Sequence, residues 1–168
     1  IEPLSSYVDT VNTKALIPFT KDYTFRYWAE TNSSGWKGPS IEKKGTLNST
    51  KSIKLNLKSN RSASRMVLLL PKESNLQSFN LGSLEIKPSL SGWGLYKGHY
   101  AIFLNGIYDK EVELTLNVDT DQKEINGYLI DISTKLPNHL DDLYKARSGI
   151  FSPVHRGDQA TLIKKIKF

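Results

Sequence analysis

The sequence contains no cysteine and no long apolar run. The absence of cysteine excludes a disulfide framework, a thiolate metal site and a thiol nucleophile, and it leaves the redox compartment unspecified. The longest apolar run, MVLLLP at residues 66–71, is far shorter than the roughly 20 residues that span a bilayer. That run has the length of a β-strand.

Histidine is scarce, and the familiar catalytic motifs are missing. His99, His139 and His155 do not form HExxH or any comparable metal-ligand spacing. There is also no GxSxG nucleophile elbow and no phosphate-binding glycine loop. We therefore expect no catalytic residue, no metal ligand and no cofactor in this chain.

The positive charge is spread over the whole sequence. The net charge is +6 and the pI is near 9.4, but lysine and arginine occur singly or in pairs. A nucleic-acid interface would require these residues to cluster on one face or along one helix. The distribution predicts a solvated basic surface, and no nucleic-acid partner is expected.

Period-two alternation of apolar and polar residues dominates the chain. KSIKLNLK (51–58) and EVELTLNV (111–118) each place apolar side chains on one side and polar ones on the other, which is typical of half-buried antiparallel strands. Further strands are predicted at residues 23–30, 65–71, 83–87, 99–104, 125–132 and 161–168. Many short strands separated by turn clusters predict an all-β protein, an antiparallel, jelly-roll-like β-sandwich.

One segment near the C-terminus has helical spacing. In LPNHLDDLYKARSG, leucines recur at 136, 140 and 143, Asn138 is a plausible N-cap, and Arg147 with Gly149 closes the segment. We predict one short surface helix there. The length suits a single domain over residues 1–168, with residues 1–22 as a weakly patterned lead-in.

The stretch GHYAIFLNGIYDKEVELTLNVDTDQ (98–122) concentrates five carboxylates. Glu111 and Glu113 are spaced like a pair of catalytic acids, but their alternation with apolar residues predicts that both face solvent. NVDTDQKE lacks the glycine and the closing glutamate of an EF-hand loop, so we interpret it as a turn. The stretch is predicted to form two strands flanking an Asn105-Gly106 turn.

Three further features bear on binding. Trp36, Trp93 and Tyr96 lie in or beside glycine-rich stretches and are candidates for an exposed platform that stacks on sugar rings. Asn32, Asn48 and Asn60 each begin an N-x-S/T sequon, a possible N-glycosylation site. The RGD tripeptide at residues 156–158 could serve in cell adhesion, although so short a motif arises easily by chance.

The order of elements over residues 50–168 resembles a known domain. KSIKLNLKSN with RMVLLLPKESNLQSFNLG, then GHYAIFLNGIYDKEVELTLNV, then INGYLIDISTKLPNHLDDLYKARSGIFSPV resemble successive parts of the C-terminal lumenal domain of the endoplasmic reticulum metallopeptidases. This family is the membrane-bound branch of the aminopeptidase-like di-zinc peptidases. Residues 1–50 do not carry the resemblance.

The resemblance implies a non-catalytic lumenal module of a multi-span membrane peptidase, and a sequence beginning at Ile1 would suit such an excised piece. The zinc would lie in the parent's separate peptidase domain, and no catalytic residue transfers to this chain. Expected partners are the parent's peptidase and membrane domains, with polypeptide or glycan ligands as further candidates, in the lumen of the secretory pathway. The alternative is a secreted carbohydrate-binding module that uses its exposed Trp and Tyr residues.

Overall fold

The computed structural model describes residues 18–19, 35–44, 51–134 and 159–168. Two 3-10 turns, Lys72–Ser74 and Gly94–Tyr96, accompany nine strands in these ranges. The strands are β1 Ser40–Lys44, β2 Ser52–Lys58, β3 Arg65–Pro71, β4 Leu76–Leu81, β5 Leu84–Ile86, β6 His99–Asn105, β7 Val112–Val118, β8 Asn126–Ser133 and β9 Ala160–Lys167.

The strands form two sheets. One has five strands in the order β1-β2-β7-β4-β5, and the other has four in the order β6-β3-β8-β9. Six pairs of strands run antiparallel, namely β1–β2, β2–β7, β4–β7, β4–β5, β3–β6 and β3–β8. Buried side chains from both sheets form one hydrophobic core. The predicted all-β antiparallel sandwich is confirmed.

Alternation explains how β2 and β7 build this core. Their register pairs Ile53 with Leu116 and Leu55 with Leu114, and all four side chains are fully buried. The intervening polar residues lie on the opposite face of the sheet, as the period of two requires. Each buried aliphatic side chain contributes about 1.5–3 kcal/mol relative to its exposed state.

Strand β3 is apolar after Arg65 because it lies between two other strands and is buried on both faces. Met66, Leu68 and Leu70 belong to the core, whereas Val67 and Leu69 are buried on the outward face of the four-stranded sheet. A strand buried on both faces has a continuous apolar sequence rather than an alternating one.

Two strands were not predicted. The β4 sequence LQSFNL does not alternate cleanly between apolar and polar residues. Its pairing with β7 shifts register between Leu76 and Ser78, and such a bulge interrupts the period of two. The β1 sequence SIEKK has one apolar residue, Ile41, so it shows no alternation. Strand β1 lies at an edge of the five-stranded sheet, where charged residues are common.

The connection between β6 and β7 differs from a hairpin. The predicted Asn105-Gly106 turn is wrong: Asn105 ends β6, and Gly106 is a bend at φ 70°, a left-handed conformation that glycine adopts readily. The hydrogen-bonded turn lies further on, where the Lys110 amide donates to the Ile107 carbonyl at 2.8 Å. Strand β6 belongs to the four-stranded sheet and β7 to the five-stranded sheet, so residues 106–111 cross between the sheets. The alternation identified both strands, but it does not specify their partners.

The chain divides into two compact units, residues 36–134 with 161–168, and residues 1–35 with 135–160. Strands β1 to β8, and β9 from Thr161 onward, lie in the first unit. The predicted helix at 136–149 lies outside the described residues, as does the lead-in apart from residues 18–19. The expectation of one domain over residues 1–168 stays a prediction.

Candidate binding surface at the β6 edge

The acidic stretch forms a solvated surface. Asp109, Glu111, Glu113, Asp119 and Asp121 are all exposed, as the alternation predicted. Glu111 forms an ion pair with Lys58 at 3.6 Å, and Asp109 accepts a hydrogen bond from the Ser62 hydroxyl. Among the described residues, no group of three or more histidine or acidic side chains could hold a metal ion. This surface lacks the burial that tunes a catalytic acid.

Asp119 is paired with a lysine. The Lys51 ammonium donates a hydrogen bond to the Asp119 carboxylate, and this bond together with the attraction of the two charges raises the pKa of Lys51 above its ordinary 10.5. The pair is exposed and screened by solvent, so its contribution to stability is small. Because the folded pKa is raised, that contribution is complete below pH 10.5 and is lost as the pH rises through the folded value.

The charges that are buried form a structural network. Asp131 is fully buried on β8, and one of its carboxylate oxygens accepts a hydrogen bond from Nε of Arg61 at 2.9 Å and lies 2.8 Å from Nη2 in an ion pair. The Ser59 hydroxyl donates to the other carboxylate oxygen at 3.1 Å. Arg61 also donates to the Asp131 carbonyl at 3.0 Å, so its charge is both neutralised and hydrogen-bonded inside the protein.

Trp36 belongs to this network. The Arg61 guanidinium lies over the Trp36 ring, 4.9 Å from its centroid, and the ring is half-buried. A cation above an aromatic face is held by the ring's negative electrostatic potential. Arg61 therefore occupies one face of Trp36, whereas a sugar-stacking residue presents an open face.

Trp93 stands on a loop that closes before β6. The Ser91 amide donates to the His99 carbonyl and the Gly98 amide donates to the Ser91 carbonyl, both at 2.8 Å, which closes residues 91–98 into a loop. Gly94 and Gly98 have φ values of 71° and 80°, which explains why the loop needs glycine. We call residues 91–98 the aromatic loop. Trp93 is 85% exposed there, the largest value among the exposed apolar residues.

The aromatic loop folds back onto β6. The Tyr96 ring meets the Phe103 ring edge to face, with centroids 5.6 Å apart and ring planes at 68°. Phe103 is 56% exposed, although phenylalanine is usually buried. Phe103 was not among the candidate binding residues predicted from the sequence. The available signal was that Phe103 alternates with Ile102 and Leu104 and so faces away from the core.

A groove of about 470 Å³ adjoins Phe103. Its apolar lining includes Leu81, Phe103, Leu104, Ile107 and Val112. Charged residues of both signs, Lys110, Glu111 and Glu113, also line it. We call the aromatic loop, strand β6 and this groove the β6 edge site.

The other predicted candidates have the following positions. Asn60 is exposed, and its side-chain amide donates to the Gly38 carbonyl at 2.7 Å. His99 is half-buried at the start of β6, with its Nδ1 3.2 Å from the Lys97 carbonyl. Outside the described residues lie Asn32, Asn48, His139, His155 and the RGD tripeptide.

Comparison with known proteins gives no matching family model and no significantly similar curated protein or solved structure. Within the part of the chain that the structure describes, no helix is long and apolar enough to cross a membrane.

Proposed function

We propose that this β-sandwich is a non-catalytic recognition module that binds a polypeptide partner through the β6 edge site. The observation that carries the proposal is the exposure of Phe103 beside an apolar groove, with Trp93 exposed on the loop whose Tyr96 contacts Phe103. Exposed aromatic residues next to an apolar depression are typical of protein interaction sites, where tryptophan and other large side chains contribute most of the binding energy.

The geometry favours a polypeptide over a glycan. The Tyr96 and Phe103 rings are at 68° to each other and do not form one flat platform, and one face of Trp36 is occupied by Arg61. Sugar rings stack on open aromatic faces. Among Trp36, Trp93 and Tyr96, the residues predicted to form a sugar-binding platform, Trp93 is the most exposed. The aliphatic groove instead suits apolar side chains.

We further propose that this module belongs to a membrane zinc metallopeptidase, as its C-terminal lumenal domain in the endoplasmic reticulum or later secretory pathway. The support is the resemblance of residues 50–168 to that domain. In this context the zinc chemistry takes place in the parent's peptidase domain, and this chain binds substrate polypeptide, another lumenal protein, or the parent's own peptidase and membrane domains. The alternative remains a secreted carbohydrate-binding module.

Replacing Trp93 with alanine is expected to weaken peptide binding about tenfold or more, because a central exposed tryptophan is a typical binding hot spot. The measurement is fluorescence anisotropy, with peptides selected on the native protein from a displayed random library. Leu84→Ala is the matched control, since Leu84 is 59% exposed on β5 and belongs to neither the aromatic loop, strand β6 nor the groove lining. A different pair of results would establish the carbohydrate alternative instead. The protein would bind saturably on a glycan array and lose this binding in Trp93→Ala, and no peptide would be selected from the library.

Passage through the endoplasmic reticulum should leave a glycan on Asn60, which is exposed. The attachment is expected before folding, because in the folded sequon Arg61 is held by Asp131 and the Ser62 hydroxyl is bonded to Asp109. Expression in secretory cells should give a glycosidase-sensitive mass shift that Asn60→Gln reduces. Microsomal extracts should not glycosylate Asn60 of the refolded protein. Efficient glycosylation of the folded protein would contradict the expectation that the glycan is attached before folding.

A further inference from the structure

Within the described ranges, one edge of strand β6 is open, with no strand paired along most of its length. The Ser91 amide bonds to the His99 carbonyl on one side of β6, and the Gly106 amide bonds to the Ser64 carbonyl on the other. Because backbone groups alternate in direction along a strand, even-numbered residues face β3, while 99, 101, 103 and 105 face the open edge. Residues 90 and 91 occupy only the beginning of that edge. From the Ala101 carbonyl to the Asn105 amide, no described strand is paired with it.

The remaining edges of the two described sheets are protected. Strand β1 carries exposed Lys43 and Lys44, and β5 is only three residues long. Strand β9 carries three exposed lysines, at positions 164, 165 and 167. Natural proteins block edges with short strands and lysines, because an open edge pairs with other chains. Strand β6 has seven residues with no lysine, arginine, proline or acid.

We infer that the open edge of β6 binds an extended segment of another polypeptide, which adds to the four-stranded sheet as an antiparallel strand. This inference rests on the proposed function and specifies how the β6 edge site recognises its partner. Backbone hydrogen bonds along the edge would supply affinity, and pockets for alternate side chains would supply specificity.

An added strand would meet apolar surface on both of its faces. Side chains on one face would lie beside Phe103, whose ring points outward and contacts Tyr96 of the aromatic loop. Side chains on the other face would enter the groove past Leu81 and Val112. The segment therefore needs apolar residues at successive positions over the paired region. A second copy of β6 does not meet this need, because its Ile102 and Leu104 are buried in its own core.

Charges near Asn105 set the composition of the segment's end. Glu111 is paired with Lys58, whereas Lys110 and Glu113 form no ion pair with a described residue. In the antiparallel orientation the N-terminal end of the segment lies beside Asn105. We therefore expect an acidic residue and a basic residue before the apolar stretch, complementary to Lys110 and Glu113.

The test is amide hydrogen exchange followed by NMR, with the tightest peptide from a displayed random library added to the native protein. The Phe103 and Asn105 amides, which face the open edge, should exchange about tenfold or more slowly in the complex. The Ile102 and Leu104 amides already face β3 and should change little. Protection in this alternating pattern is specific to strand addition, whereas side-chain binding alone would protect neither set.

A matched pair of variants checks the backbone contact. Asn105→Pro removes an amide that faces the open edge, a position where proline is tolerated, and should weaken the peptide about tenfold. Asn105→Ala keeps the amide and should bind as the native protein does. Circular dichroism would show that both variants fold.

Three results would overturn the inference. If Trp93→Ala abolishes peptide binding while the Phe103 and Asn105 amides stay unprotected, the proposed function survives and strand addition is wrong. If no peptide is selected, both fail. If the Phe103 and Asn105 amides are protected without peptide, and their protection rises with dimerisation measured by sedimentation, the open edge binds a second copy of this chain.

Discussion

Replacing Asp131 with alanine is expected to lower the free energy of unfolding by about 3–5 kcal/mol, because it removes the buried carboxylate that pairs with the Arg61 guanidinium. Only 6% of the Arg61 side chain is exposed, so water cannot replace the lost carboxylate. The same change leaves the Ser59 hydroxyl without its acceptor. Urea denaturation followed by tryptophan fluorescence and circular dichroism measures the loss, and the midpoint should fall with little change in slope.

The double replacement Arg61→Met with Asp131→Leu separates the contribution of the buried charges to stability from that of side-chain packing. Exchanging a buried ion pair for apolar side chains of similar size is often neutral or stabilising, so much of the lost stability should return. Lys167→Ala is the matched surface control, because Lys167 pairs with Glu124 at 2.6 Å and both side chains are more than half exposed; its effect should stay below about 1 kcal/mol. Equal losses for Asp131→Ala and Lys167→Ala would show that the buried network does not stabilise the fold.

Replacing Gly127 with alanine is expected to destabilise the fold by about 3 kcal/mol. Gly127 is buried on β8, and an added Cβ would lie 2.6 Å from the Leu69 carbonyl oxygen and 3.1 Å from Leu70 Cδ2. The first of these atoms belongs to the backbone of β3, so relief requires the two strands to move apart. Overpacking a well-packed interior costs about 1–3 kcal/mol and sometimes more.

Gly92→Ala is the control for Gly127→Ala. A Cβ at Gly92 meets nothing within 4 Å, and its φ lies outside the positive range that disfavours alanine. Alanine at such a position restricts the unfolded chain and should be neutral or stabilise by about 0.4–1 kcal/mol. The two substitutions, identical in chemistry, should therefore have unequal effects in chemical denaturation. A loss at Gly92 as large as that at Gly127 would contradict the steric explanation.

The site could be predicted only in part. Trp93 and Tyr96 were selected because a tryptophan and a tyrosine in a glycine-rich stretch suggest an exposed loop, and Trp93 is exposed. Trp36 was selected by the same reasoning, but Arg61 lies over its ring. That contact joins residues 25 positions apart in the sequence, so local composition carries no sign of it. Phe103 was missed because exposure of an apolar strand residue depends on whether another element covers it.

The sequence by itself determined that the described part of this protein is an antiparallel β-sandwich. Alternation such as that of KSIKLNLK is a local property, because each side chain's face follows from its own backbone position. Only the tertiary structure decided which strands pair. It placed β6 and β7 in different sheets, put Asp131 beside Arg61, and left one edge of β6 without a partner strand among the described residues. These features depend on contacts between distant residues, and many pairings satisfy the same local pattern.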